Sequence, residues 1–174
     1  MNEAVRGAVT VVALSSVGVL SHFLPHPMGL SSVGAIGMLA MAYAPRSVAL
    51  LPVLATTLFV DALAGQFYGA LAMAIVYAAH MIAAIGIAPI LRRVGVLRVA
   101  GASSVSAVLF YLASNLQPLV AGYYPPTLDG VLACYVAGLP YLARGIFANL
   151  LYGGVAFTII ELGLRQRAHR YATA

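Results

Sequence analysis

Apolar residues along this chain do not alternate with polar ones; they come in long runs broken by short stretches rich in proline, glycine or arginine. Six runs stand out, at residues 7–24, 30–44, 47–63, 70–91, 99–116 and 140–164. Each ends at a recognisable stop: Pro25 and Pro27, Pro45-Arg46, Gly65, Arg92-Arg93, Pro118, and an arginine-rich tail. About 20 apolar residues cross the hydrocarbon layer as a helix, and fewer suffice where the bilayer thins or the helix ends are buried in protein. The pattern predicts an all-α, polytopic membrane protein of six transmembrane helices.

Residues 117–139, between the fifth and sixth runs, are too long for a tight turn. They begin with turn chemistry, Ala121-Gly-Tyr-Tyr-Pro-Pro-Thr-Leu-Asp-Gly130, and end in an apolar stretch at 131–139. That stretch is expected either to form a short helix, capped by Thr127, or to dip back into the membrane. Long connections with structure of their own are usually functional.

Composition agrees with the pattern. Of 174 residues, 63% are apolar and 7% charged, whereas a soluble domain carries about 25% charged residues. One core of this size cannot bury so many apolar side chains, so lipid must solvate the rest. No polar linker or low-complexity tract divides the chain, which reads as a single transmembrane domain over 1–174. The single cysteine, Cys134, rules out an internal disulfide.

The net charge of +5 comes from nine arginines and no lysine. These arginines flank apolar runs, which is the membrane pattern and not that of a nucleic-acid-binding surface. Arg6, Arg46, the Arg92/Arg93/Arg98 group and Arg165/Arg167/Arg170 fall at the N-terminus, the second and fourth connections and the C-terminus. With six helices these four places share one side, so both termini are expected in the cytoplasm, across a bacterial inner membrane. The first, third and fifth connections carry no basic residue other than histidine; only Arg144 departs from the scheme. The first run resembles a secretory signal, but Glu3 weakens its basic start and no clear small-x-small cleavage site follows, so a retained helix is expected.

Small residues recur within the runs, at Gly34/Gly37, Ala70/Ala74/Ala78 and Gly153/Gly154, and let helices approach closely. Ala4, Ala8 and Ser16 form a weak small-residue stripe on the first helix, a candidate docking face.

Polar side chains within apolar runs are costly and are therefore the candidates for chemistry. His80 lies about 15 Å from the outer end of its helix at 1.5 Å per residue, with Tyr77 one turn before it on the same face. The imidazole either bonds a neighbouring helix or contacts a ligand, including as an axial ligand to a metal. Asp61 is expected to pair with Arg144 or to meet a ligand. Asn115 and Gln117 fit capping or interhelical bonding. His22 and His26 flank the first outer turn, which also carries Met28. Phe67, Tyr68, Tyr123 and Tyr124 crowd the outer connections, where aromatic residues form an interfacial belt or line a pocket for a large, partly flat ligand.

No enzyme signature is present: no nucleotide-binding glycine loop, no paired-histidine zinc motif and no Ser-x-x-Lys. Two acidic residues near membrane depth, Asp61 and Glu161, are too few for a carboxylate-bridged metal site. The chain is read as a non-enzyme with no cofactor of its own.

Three stretches carry a family resemblance: Leu24-Pro-His-Pro-Met-Gly-Leu-Ser-Ser-Val-Gly-Ala-Ile-Gly37; Leu51-Pro-Val-Leu with Val60-Asp-Ala-Leu-Ala-Gly65; and Phe110-Tyr-Leu-Ala-Ser-Asn115 through Tyr124-Pro-Pro-Thr-Leu-Asp-Gly130 to Cys134-Tyr-Val-Ala-Gly-Leu-Pro140. Over about residues 20–163 the chain resembles the substrate-binding S-components of energy-coupling-factor vitamin transporters, and is most similar to the solitary cobalamin transporters of the BtuM type. The resemblance implies a six-helix fold with an outward-facing cavity built by the outer connections and outer helix halves. It also implies capture of a vitamin, with cobalamin or a related corrinoid the leading ligand and a flavin-like vitamin the alternative. Where cobalamin-binding members place a cobalt-ligating thiol in the fourth helix, this chain has His80. An energising module of ATPases and a coupling protein is an implied partner, beside the lipid bilayer. Val60 stands where a serine often precedes the aspartate, and the chain has no tryptophan. A ligand-free assembly subunit is the reading from a different class.

Overall fold

The structure is a computed structural model that describes residues 2–23 and 30–172, with side chains described through residue 166. Its described elements are all helices, with no strand among the described residues. In chain order the helices are α1 (Glu3–His22), α2 (Val33–Tyr43), α3 (Leu51–Ala64), α4 (Ala70–Ile87), α5 (Val96–Ser114), α6 (Leu116–Val120), α7 (Leu128–Ala148) and α8 (Gly154–Ala172). A 3-10 turn (Ile90–Arg92) follows α4, and a π-helical turn (Asn149–Gly153) joins α7 to α8.

Local chemistry sets the boundaries. The Asn2 side chain accepts from the Val5 amide at 2.9 Å and caps α1, satisfying one of the donors a helix start leaves unpaired. At the other end of α3, Gly65 takes the left-handed conformation (φ 65°) that closes a helix without steric cost. Gly69 (φ 102°) then admits α4, so Gln66, Phe67 and Tyr68 sit on a tight connection between two glycines.

One expectation needs correction. Residues 131–139 are neither a separate short helix nor a re-entrant dip. They are the first turns of α7, which starts at Leu128 and carries Pro140 in its interior. Thr127 does cap it, accepting from the Gly130 amide at 3.2 Å. The helical stretch Leu128–Gln166 spans 39 residues, about 58 Å at 1.5 Å per residue. Read from sequence, Pro140 looked like a helix start, since proline lacks the donor that a first turn leaves unpaired anyway.

Four helical stretches are long and apolar enough to cross a membrane: Glu3–His22, Ala70–Ile87, Val96–Val120 and Leu128–Gln166. Val33–Tyr43 and Leu51–Ala64 are apolar but shorter. Large apolar side chains stand exposed along the outside, among them Leu20, Phe59, Leu71, Leu97, Leu132 and Ile159. Contiguous apolar surface of this kind is rare on soluble monomers and is compatible with a multi-pass membrane protein.

Helix α4 packs chiefly on α5, and α1 on α3. Gly18 makes the second contact possible, because a Cβ there would meet Thr56 Oγ1 at 2.7 Å. Met38, Leu39, Ile87, Leu91, Val99, Ala102 and Phe157 form the main core, drawn from α2, α4, α5, α8 and the 3-10 turn. Tyr43 closes this core, packing on Phe157 (ring centroids 5.5 Å) and donating to Glu161 Oε1 at 2.6 Å. The core lies toward the connections that carry Arg46 and Arg92/Arg93.

Candidate functional site: a cavity between the helices

The opposite half of the bundle is hollow. A cavity of about 930 Å³ is lined by residues of α1 to α7, of the π turn and of three connections. This lies at the upper end of the range typical of small-molecule sites, roughly 300–1,000 Å³. The connections that border it are α1–α2 (Leu30, Ser31), α3–α4 (Tyr68) and α5–α7 (Gln117, Pro118, Tyr123, Tyr124). These three carry neither arginine nor lysine.

Several of the wall residues are small. Gly34 and Gly37 of α2, Ala83 and Ala84 of α4, and Ser106 and Ala107 of α5 all line it.

His80 is part of the wall. Its Nδ1 lies 3.0 Å from the Val76 carbonyl oxygen one turn earlier. A carbonyl only accepts, so Nδ1 carries the proton and Nε2 keeps its lone pair. The ring is held against Phe110, with centroids 4.3 Å apart and planes at 46°. Among the described residues Nε2 has no partner.

Asp61 also lines the cavity and is only 7% exposed. The partner the structure gives it is Tyr77, whose hydroxyl donates to Oδ2 at 2.8 Å. Tyr77 therefore stands behind the wall and orients a wall residue. Arg144, expected beside Asp61, has its guanidinium over the Tyr141 ring at 5.7 Å from the centroid and does not line the cavity. Above Asp61, the Tyr68 phenol is pushed up from its ordinary range, first by burial and then by the Asp61 carboxylate, so it stays neutral and keeps its donor.

A second polar group lies on the α5–α7 seam. Asn115 Nδ2 donates to the Tyr111 carbonyl at 2.7 Å. Tyr111 Oη donates to the Tyr135 carbonyl at 2.5 Å, and Tyr135 Oη returns a bond to the Leu112 carbonyl at 2.8 Å. The two rings meet edge to face at 5.6 Å. Buried Cys134 donates weakly to Asn115, 3.5 Å from its backbone oxygen. At the inner end, Asn149 opens the π turn, is 5% exposed, and donates from Nδ2 to the Ser103 carbonyl at 3.2 Å. Gly34 gives it room, since a Cβ there would overlap Asn149 Oδ1.

The cavity thus brings together eight residues singled out from sequence: His22, Asp61, Tyr68, His80, Asn115, Gln117, Tyr123 and Tyr124. Phe67 is 69% exposed and does not line the cavity. His26 and Met28 lie outside the described residues. Sequence reading missed Asn149, Ser106, Thr57 and Tyr111, which all line the site. For Asn149 a signal was present: an amide in the middle of an apolar run must find partners or pay for desolvation.

The fold and cavity define an all-helical protein with a deep, mostly apolar ligand-sized chamber. The chain belongs to a family of unknown function, DUF6580, whose model matches residues 2–171. No curated protein and no solved structure matches it.

Proposed function

We propose that this protein is a substrate-binding membrane transporter of the S-component type, which captures cobalamin or a related corrinoid in this cavity. The observation that carries the proposal is His80: a cavity-wall imidazole whose Nδ1 is committed to the Val76 carbonyl, leaving Nε2 as a lone-pair donor. Such an imidazole completes the coordination of a metal that arrives already held by its own macrocycle. In this reading the corrin ring lies between the tyrosines of the connections, and His80 takes the lower axial position of the substrate's cobalt. The volume and the mixture of aromatic and polar wall residues suit a large, flat, polar-edged ligand.

The same reading makes α2 and α3, despite their length, membrane-crossing elements of a six-helix bundle in a bacterial inner membrane. Both termini then lie in the cytoplasm, and the cavity faces outward through the three arginine-free connections. Transport requires the loaded protein to reorient, alone or on an energising module that hydrolyses ATP; the chain has no nucleotide-binding loop.

The test is retention. The protein is purified in detergent, mixed with cobalamin, freed of excess by gel filtration, and its visible spectrum recorded beside that of His80→Ala. Retained colour with a His80-dependent shift is expected. Retained colour without the shift drops the axial role. No retained colour, from folded monodisperse protein, removes the cobalamin reading. A flavin-like vitamin is the second reading, supported by Tyr68, Tyr111, Tyr123 and Tyr124 in the wall.

A further inference from the structure

We infer that the cavity selects its ligand by charge: it takes a neutral or cationic ligand and rejects carboxylate- or phosphate-bearing relatives, with Asp61 as the main discriminator. This rests on the proposed capture of a corrinoid and sharpens which corrinoids are taken.

The first argument is charge. Asp61 is the one Asp, Glu, Lys or Arg side chain among the described residues of the wall. The undescribed stretch 24–29, Leu-Pro-His-Pro-Met-Gly, contributes no such residue. The Asp61 carboxylate accepts a hydroxyl from Tyr77, and among the described residues no cation pairs with it. Charges interact strongly where little water screens them, so an anionic ligand meets repulsion with no arginine or lysine among the described wall residues to offset it.

The second argument is which atoms remain available. Nδ1 of His80 already donates to the Val76 carbonyl, one Asn115 N–H to the Tyr111 carbonyl, one Asn149 N–H to the Ser103 carbonyl, and the Tyr111 hydroxyl to the Tyr135 carbonyl. Because carbonyls only accept, each of these side chains is fixed with one donor toward protein. Beside the cavity this leaves two acceptors that carry no proton of their own, His80 Nε2 and the Asp61 carboxylate. Both complement a primary amide or a cationic centre on the ligand. A ligand donor satisfies them, whereas a ligand carboxylate cannot and leaves them unpaired.

The test uses two corrinoids with the same ring. Cobinamide carries amides at the periphery; cobyrinic acid carries carboxylates in their place. Affinities are measured by visible absorbance on the full chain in detergent at neutral pH. Wild type is expected to bind cobinamide at least about ten-fold more tightly, equivalent to ~1.4 kcal/mol. Asp61→Asn, which keeps an acceptor for Tyr77, is expected to narrow that gap by strengthening the carboxylate. Gln117→Lys, which adds a cation to the wall without touching Asp61, shifts carboxylate affinity the same way and serves if Asp61→Asn does not fold.

Equal affinities, or a preference for the carboxylate, overturn the charge inference while leaving corrinoid capture in place. A gap unchanged in both variants overturns the assignment to Asp61. If neither corrinoid binds, the corrinoid reading fails, and riboflavin against its 5′-phosphate then decides the charge rule. Retention of riboflavin alone upholds the rule; equal or stronger binding of the phosphate, or no binding of either, overturns it.

Discussion

The two halves of this bundle are built from the same helices, yet one is packed and the other hollow. Along α2, Gly34 and Gly37 face the cavity, and the next two residues, Met38 and Leu39, belong to the core. Along α4, Ala83 and Ala84 border the cavity and Ile87, one turn later, is fully buried in the core. Along α5, Val99 packs in the core and Ser106 and Ala107 line the cavity. Along these three helices the backbone stays α-helical between the halves, while the side chains that meet at the centre change in size. Interiors pack to crystal-like density wherever the side chains allow it, and the small residues at the cavity's edge are themselves close contacts: Gly37 abuts Ala84 and Val53, and Gly34 abuts Asn149.

That contrast can be broken from either side. The largest effect is expected from filling the cavity: Ala137→Trp, at an exposed wall position of α7, should weaken corrinoid binding on the order of 100-fold, about 2.7 kcal/mol. Its thermal midpoint should stay near wild type, and a large fall in midpoint would show that this wall belongs to the packed half after all. Emptying the core should do the reverse. Met38→Ala removes a fully buried side chain and should cost about 2–5 kcal/mol of stability, read by thermal unfolding in detergent, with the affinity of the folded fraction unchanged.

A mutation at the border between the halves should move both readouts. Gly34→Ala places a methyl on the Asn149 amide, a small-to-large change in a tight site that typically costs about 1–3 kcal/mol. Affinity should fall together with stability, and Asn149→Ala in the same background should restore much of the stability but not the affinity. The smallest effect is expected on the seam: Tyr111→Phe deletes the bond to the Tyr135 carbonyl and should cost about 0.5–1.5 kcal/mol, with little change in ligand preference.

The comparison also explains what could be read from sequence. The helices of the first five apolar runs fall close to where those runs placed them, although Pro118, expected to halt the fifth, lies inside α6, and Pro25 and Pro27 fall outside the described residues. The start of α7 did not, since Pro140 fits both a helix start and a tolerated interior position, where it removes one backbone bond. Asp61, His80 and Asn115 were visible as polar residues in apolar surroundings. The cavity itself was not, because Gly34, Ala84 and Ala107 read equally well as close-packing contacts between helices. The structure shows them making such contacts at the cavity's edge: Gly34 against Asn149, Ala84 with Val33 and Val53, Ala107 against Gly145. Arg144 shows the converse: its position suggested an ion pair with Asp61, but Tyr77, one turn before His80, occupies the carboxylate.

The π-helical turn at Asn149–Gly153 gives the last long helix a change of phase. Each residue of an α-helix advances the azimuth by about 100°, so one wider turn rotates everything after it relative to everything before. Upstream of the turn, Cys134, Gly138, Tyr141 and Gly145 face the chamber. Downstream, Phe157 enters the core and Glu161 receives Tyr43. The turn therefore works as a register shifter that lets one continuous helix serve two differently placed neighbours. Deleting a single residue among Leu150, Leu151 and Tyr152 would reset the phase, carrying Phe157 and Glu161 away from Tyr43 while leaving the sequence of every wall-lining residue intact.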